Sequence, residues 1–451
     1  MTEIRKKRRW KDLDFPLLTL ILLLMAIGLL MVFSASSYYA MFRFGDKFEF
    51  FLKQAVLSVA GVVVMVFISR IDYHVIGKIS PILALVGLAL IWLVALTPLG
   101  YTINGAKRWI NLGFTTVQPS EFMKIAIILA LSFSLSQRQE VLKSLKNGLF
   151  PYLVLVGLID AGLFFQKHYS ALGITTLLAI VILFVAGAKI WHFIVVGVPA
   201  GALLGVLLFT ESYRVDRMMT FLGKTGDVSD DAYQITNSLI AIGSGGLFGK
   251  GLGRSLQKNL FIPEPQSDFI FPILAEELGF IGAVTLLLLF VLLFVRGMRV
   301  AMNAPDMMGT LMAVGITSLV AIQTLLNLGV VTQLLPTTGI PLPFFSAGGT
   351  SLLFLMVAMG VLLNISRQTV PIFRAGTLSP AEAEGSVRSG EKPRPAAGPT
   401  NKQGTVRDGP YRATRQDGGS LRTETEDRRG DTSGRGVPPR RPTPPSGRTG
   451  R

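Results

Sequence analysis

The chain contains no cysteine, so disulfides and thiolate metal sites are excluded, although the absence leaves the compartment open. Histidine is almost as scarce. His74, His168 and His192 are the only three in 451 residues, too few and too scattered for a histidine-built metal site. Charged side chains make up 16% of the chain against 50% hydrophobic, a balance rarely met in a soluble protein of this length. Also missing is the alternation of apolar and polar residues, over about 10 positions, that membrane β-strands require. What is present is a succession of apolar runs of about 17–25 residues, the length at which a helix crosses the hydrocarbon. The chain therefore reads as an all-α polytopic membrane protein.

Ten transmembrane helices are predicted, at about 15–34, 51–69, 81–98, 119–135, 151–166, 170–187, 192–210, 269–295, 309–330 and 348–366. The basic cluster Arg5-Lys6-Lys7-Arg8-Arg9 with Lys11 places residues 1–13 in the cytoplasm. The first run precedes Ser34-Ala35-Ser36, but it is long for a signal peptide and more spans follow, so it is read as an uncleaved anchor. An even number of spans returns the C-terminus to the cytoplasm. Arg70, Lys78, Arg138, Lys143, Lys146, Lys189, Arg296 and Arg299 then fall on cytoplasmic loops, consistent with the positive-inside rule. The net charge of +16 has its excess at the two ends, flanking the membrane region, which argues against a nucleic-acid partner. The membrane domain is taken as 14–366. Residues 367–451 are rich in Pro, Gly, Ser, Thr, Arg and Glu and are predicted as a disordered basic cytoplasmic tail, able at most to touch anionic lipid.

Two outer loops stand out, about 100–118 and a large extracellular loop, 211–267, between spans seven and eight. The second is too long for a simple connection. It holds Tyr213-Arg214-Val215-Asp216-Arg217, an amphipathic segment over Ala232–Ile242, and a glycine-rich run over Gly243–Gly253. That run lacks the Gly-Lys-Ser/Thr ending of a nucleotide cradle, so tight turns and close helix packing are the more common explanation. The loop ends at Pro263-Glu264-Pro265-Gln266-Ser267-Asp268, where an apolar run containing Glu276-Glu277 begins. Ser267 or Asp268 could cap the following helix; alternatively, Asp268 is a carboxylate held at a membrane surface with its proton affinity open to tuning. Span four opens Gln118-Pro119-Ser120-Glu121-Phe122-Met123-Lys124. Glu121 and Lys124 share a face, either as a packing ion pair or as part of a wet site. Spans four and eight both run from outside to inside, so both N-termini face outward and favour anions. Lys107, Arg108, Arg214, Arg217, Lys250 and Arg254 are candidate anion binders nearby. The last outer loop, Pro336 to Ser351, carries three prolines and three glycines before its final Thr-Ser, implying irregular backbone that lines a cavity or is buried in protein. These features suit an amphiphilic substrate with an anionic head and a lipid tail; they do not name the reaction.

Together, several stretches resemble the SEDS family (shape, elongation, division and sporulation) of bacterial peptidoglycan polymerases. They are Asn104-Gly105-Ala106-Lys107-Arg108-Trp109-Ile110 with Gln118-Pro119-Ser120-Glu121, then 213–217, 241–253, 263–271 with Glu276-Glu277-Leu278-Gly279, and 339–351. Gly253-Arg254-Ser255-Leu256-Gln257-Lys258 is most like the division and sporulation branch. The resemblance implies a glycosyltransferase that polymerises lipid II on the outer face of the bacterial cytoplasmic membrane during cell division. It implies Asp268 as general base and undecaprenyl pyrophosphate as leaving group. Glu121, Lys124, Lys107, Arg108, Arg214, Arg217, Lys250, Ser346, Gly348 and Gly349 become candidates for substrate and pyrophosphate binding. No metal ligand is named; a divalent cation, magnesium or manganese, is compatible with the chemistry. The implied partners are lipid II, a class B penicillin-binding protein, other divisome proteins and membrane lipid. Two departures stand out. Where many relatives have Gln-Pro-Asp-Leu-Gly, this chain has Gln166-Lys167-His168-Tyr169-Ser170, and the usual Ser-Tyr-Gly-Gly is Ser346-Ala347-Gly348-Gly349. A lipid II flippase and a non-catalytic scaffold for the transpeptidase are the competing readings.

Overall fold

The computed structural model describes residues 13–103, 106–111, 113, 116–138, 144, 148–209, 230–259, 261–262, 266–346 and 348–369. The basic N-terminus, Arg214, Arg217, Pro263-Glu264-Pro265, Ala347 and the predicted tail from 370 onward lie outside these residues. Seven helices among the described residues are long and apolar enough to cross a membrane. They are α1 (Phe15–Phe44), α2 (Glu49–Ile68), α3 (Tyr73–Leu96), α4 (Pro119–Ser136), α9 (Ile270–Met302), α10 (Met307–Val331) and α11 (Gly349–Gln368). Three further apolar helices are α5 (Phe150–Phe165), α6 (Tyr169–Val185) and α7 (Ile190–Phe209). Each of the ten predicted spans falls on one of these helices.

Helix ends follow local chemistry. Asp14 caps α1 by accepting from the Leu17 amide at 3.1 Å, with Pro16 in the first turn, and Gly45 closes the helix at φ 76°. Asp72 caps α3 and Asp306 caps α10 in the same way. Helix α3 begins at Tyr73 rather than at 81, because Pro81 lies inside the helix instead of opening it. Helix α1 continues past the apolar run to Phe44 through Tyr38 and Tyr39.

Residues 100–118 depart from the all-α expectation. They form a three-stranded antiparallel sheet, β1 (Gly100–Ile103), β2 (Ala106–Asn111) and β3 (Thr116–Val117), in the order β1-β2-β3. Gly100 pairs with Ile110 and Ile103 with Ala106, and an irregularity falls between Tyr101 and Thr102. The two positions between β1 and β2 read Asn104-Gly105, the strongest short signal for a hairpin.

Helix α4 occupies the centre of the bundle, packing against α3, α6, α10 and α11 and buried from Glu121 and Lys124 through Leu135. The outer helices instead expose apolar stripes at helical spacing. On α2 the stripe is Leu52, Val56, Val59, Val63 and Phe67. In water such a stripe would be a liability; around a membrane bundle it is the lipid-facing surface. The predicted amphipathic segment is helix α8 (Asp230–Ser244), which turns Ile235, Ser238 and Ala241 inward against α9 and α10.

Candidate active site

Helix α9 is broken at Gly279, whose φ of 69° and ψ of −169° are open essentially to glycine alone. The glycine-rich loop fills the break. Lys250 and Gly251 donate their amides to the carbonyls of Glu276 and Glu277, each at 3.0 Å. In return Phe280 and Ile281 donate to Gly246 and Leu247, at 2.8 and 3.2 Å. These four bonds satisfy backbone groups that the break would otherwise orphan inside the bundle. The run is thus a backbone splint, in line with the tight turns and close packing expected of it. Its glycines are there for close approach: a Cβ on Gly249 would sit 2.1 Å from the Glu277 carbonyl oxygen, and one on Gly245 2.1 Å from that of Ala275.

The side chains of Glu276 and Glu277, both fully buried, anchor the same loop. Glu276 holds the Lys250 ammonium at 2.6 Å and accepts from the Ser255 hydroxyl and the Leu256 amide. Glu277 holds Lys258 at 2.7 Å and accepts from Ser34 of α1 at 2.6 Å. Two desolvated carboxylates with cations and several donors form a satisfied network, the condition under which buried charge is tolerated.

This framework sets the position of Asp268, half-buried in the turn just ahead of α9. The α9 N-cap position is taken by Phe269, one residue after Asp268. Asn327 of α10 donates one amide nitrogen to the Asp268 carbonyl at 2.8 Å and to the Ile340 carbonyl at 2.7 Å. That single side chain ties the Asp268 backbone to the α10–α11 loop. The carboxylate reaches the same loop: a Cβ on Gly339, at φ 56°, would lie 3.2 Å from Asp268 Oδ2. A glycine there leaves the carboxylate uncrowded.

Further along the loop, Pro341, Leu342, Pro343 and Phe344 line a narrow cleft whose charged wall is Glu121 and Lys124, with Gln323, Ser346 and Ser351 as further polar lining. Lys124 is 2% exposed and donates to Glu121 at 2.8 Å. Phe344 is held at φ 68°, unusual for a non-glycine residue, and α1 admits it through Gly28, where a Cβ would fall 2.3 Å from the Phe344 carbonyl oxygen. One loop therefore touches Asp268 at Gly339 and walls the Glu121–Lys124 cleft a few residues later.

A third group comes from β2 and the α5–α6 turn. Arg108 donates to the carbonyl of Lys167, which is itself left-handed at φ 57°. His168 follows as the N-cap of α6, buried, with Nδ1 lacking a hydrogen-bond partner. Burial, and then the positive charges of Arg108 and Lys124, hold its proton affinity well below the ordinary value, so the ring is neutral. Ser170, in the first turn of α6, donates to the carbonyl of Thr338, next to Gly339.

The predicted residues thus divide. Asp268, Glu121 and Lys124 meet the α10–α11 loop, Ser346 on that loop lines the same cleft, and Arg108 reaches the adjoining α5–α6 turn. Lys107 instead donates to the Thr97 carbonyl at the end of α3, and Lys250 is engaged with Glu276. Gly348 is the N-cap of α11, and Gly349 packs where a Cβ would lie 2.6 Å from Leu57 Cδ1, so helix packing accounts for the second glycine. Arg214 and Arg217 lie outside the described residues. Sequence reasoning assigned no site role to His168, Lys258 or Asn327. It also passed over Asp160 in α5, whose oxygens accept from Thr175 at 3.0 Å and Thr176 at 2.7 Å. A carboxylate or amide inside an apolar run was the available signal for Asp160 and Asn327.

A family model described as "Cell cycle protein", covering FtsW, RodA and SpoVE, matches residues 15–370. Stage V sporulation protein E of Bacillus subtilis (strain 168) is 44% identical over 357 residues, covering 78% of this chain and 97% of that protein. A probable peptidoglycan glycosyltransferase FtsW of Geobacter sp. (strain M18) is 40% identical over 359 residues, covering 80% and 98%. Among solved structures, a chain from a peptidoglycan synthase complex that coordinates polymerization and crosslinking matches with TM-score 0.65 and 26% identity, over 79% of this chain and 98% of that one. The rod shape determining protein RodA of Thermus thermophilus matches with TM-score 0.60 and 26% identity, over 80% and 98%.

Proposed function

This chain belongs to the FtsW, RodA and SpoVE family of cell cycle proteins, and on that premise we propose that it is a peptidoglycan glycosyltransferase of the cytoplasmic membrane. In this reading it crosses the membrane ten times with both termini inside, and it polymerises lipid II at the outer face during cell division. Asp268 is the general base. It takes the proton of the GlcNAc 4-hydroxyl on the acceptor, and the freed oxygen pair forms a bond to C1 of the donor's MurNAc. The C1–oxygen bond to undecaprenyl pyrophosphate breaks, and the leaving group departs with that electron pair. Base catalysis of this kind is worth about 10²–10⁴-fold. Lys124 and Arg108 stabilise the departing pyrophosphate, where preorganised cations act most strongly, and Glu121 orients Lys124. Arg214 and Arg217 are proposed to add charge from the large outer loop. Lys250, Lys107, Gly348 and Gly349 act through the packing described above. A divalent cation, magnesium or manganese, would supply further positive charge for the leaving pyrophosphate; among the described residues no three His, Cys, Asp or Glu side chains are grouped to hold one.

The observation that carries this reading is the placement of Asp268. A half-buried carboxylate just ahead of α9 faces a glycine on the loop that walls the Glu121–Lys124 cleft. A class B penicillin-binding protein is the proposed partner. The test uses purified protein with and without that partner, given lipid II. Glycan chains from wild type, and a loss on the order of 10²-fold or more in Asp268→Asn, support the enzyme. Lipid II flipping in liposomes that survives Asp268→Asn, with no polymer from wild type, supports a transporter. An Asp268→Asn chain that complements a null strain would leave only a scaffold.

A further inference from the structure

His168 has no role in the mechanism above, yet its surroundings are costly to maintain. It is 7% exposed, and its Nδ1 is a buried polar atom with no partner. Such atoms are rare in folded proteins and need a reason. It caps the N-terminus of α6, a helix of 17 residues whose free amides carry the positive end of the dipole. Arg108 and Lys124 stand close enough to act on the ring electrostatically, and Arg108 is fastened to the turn through the Lys167 carbonyl. Ser170 ties the same turn to Thr338, beside the glycine that faces Asp268. The charged groups of the elements around the ring are Arg108 on β2, Lys124 and Glu121 on α4, Lys167 in its own turn, and Asp268 beyond Gly339. Glu121 is engaged by Lys124, and the neutral imidazole keeps a buried nitrogen with no hydrogen-bond partner.

We propose that Arg108, Lys124 and His168 form one anion site for the pyrophosphate of the lipid-linked substrate, and that His168 takes up a proton from solvent as the anion arrives. The imidazolium then adds a donor to the site, and the proton returns to solvent when the anion leaves. No covalent bond of the substrate changes in this step. The sign follows from the charges. With the site empty, two cations oppose a third; with a doubly charged pyrophosphate between them, the field at the ring reverses and favours the charged form. His168 is then a proton-linked binding residue. The inference rests on the polymerase reading, because that reading supplies the pyrophosphate.

The test is calorimetric titration of inorganic pyrophosphate into the full-length protein in nanodiscs, across pH and in buffers of different ionisation heat. Wild type is expected to take up more protons per anion than His168→Gln, by up to one. Its affinity relative to His168→Gln should rise by up to about tenfold per pH unit as pH falls through the ring's titration. The ligand's own titration is common to both proteins and cancels. Equal proton uptake in the two, or no binding of pyrophosphate to wild type, overturns the proposal. His168→Asn keeps a polar group in the turn and repeats the comparison in a second folded background. Should neither variant fold, ¹⁵N-histidine spectra of the wild type decide: a His168 ring still neutral with pyrophosphate bound overturns it. Polymer without His168-linked protons sinks this inference alone. His168-linked protons without polymer sink the polymerase reading.

Discussion

Replacing Gly279 by alanine probes the splint that positions the turn carrying Asp268. The perturbation has two parts. The backbone there, at φ 69° and ψ −169°, costs a side-chain-bearing residue about 1–3 kcal/mol. The added Cβ would also lie 2.3 Å from the Gly249 nitrogen and 2.6 Å from the Leu247 carbonyl oxygen. Both are backbone atoms, so the loop must retreat, and its four bonds to α9 weaken or break. At about 1 kcal/mol net for each bond, the total comes to about 6 kcal/mol. Gly253 supplies the control. It has φ 77° but nothing within 4 Å of a Cβ, so alanine there costs only the left-handed conformation, about 1–2 kcal/mol. Thermal unfolding in detergent, followed by loss of the monodisperse peak, is the assay. Gly279→Ala should lower the apparent midpoint on the order of 10 °C more than Gly253→Ala does. Equal shifts in the two variants would mean that the loop does not brace the helix break, and the account of how Asp268 is positioned would fail with it.

Two further outcomes are expected. Lys124→Met leaves the Glu121 carboxylate buried without its cation, at about 3–5 kcal/mol. Adding Glu121→Leu should restore most of the thermal stability but none of the polymerisation, and recovered polymer would refute a pyrophosphate role for Lys124. At the N-terminus of α3, burial works against the charged form of Asp72. The His74 amide and ring donors outweigh it, however, and hold the Asp72 carboxyl below its usual range. Its contribution is therefore present above the unfolded value, about pH 4, and is lost as pH falls through the lower folded value. Wild type should lose melting temperature below about pH 4 faster than Asp72→Asn; parallel curves would contradict this.

Much of the site was legible as residue types before any contact was known. Asp268, Glu121 and Lys124 stood out because charge at the mouth of an apolar helix is costly. Their surroundings were less legible. Lys250 and Arg108 look alike in sequence, two cations in outer loops, yet one is paired with Glu276 and the other reaches the turn that carries His168. The glycine-rich run reads more readily as a packing device than as a ligand cradle, but its sequence does not say what it packs against. Only the structure supplies that, in the carbonyls of Glu276 and Glu277 lying against it. The sheet over 100–117 was missed although Asn104-Gly105 marks a hairpin, because the prevailing helical pattern outweighed a short local signal.

The sequence by itself determined that this is a bundle of apolar helices, and roughly where each begins. Hydrophobic length is a local property, and a membrane rewards it wherever it occurs. Its motifs also determined the family. The tertiary structure alone decided which charges are partners. Ser34 meets Glu277 from 243 residues away, and Asn327 joins Asp268 to Ile340 across two loops. Such pairings follow from how helices cross and where a backbone can break, and no window of sequence contains both ends of the contact.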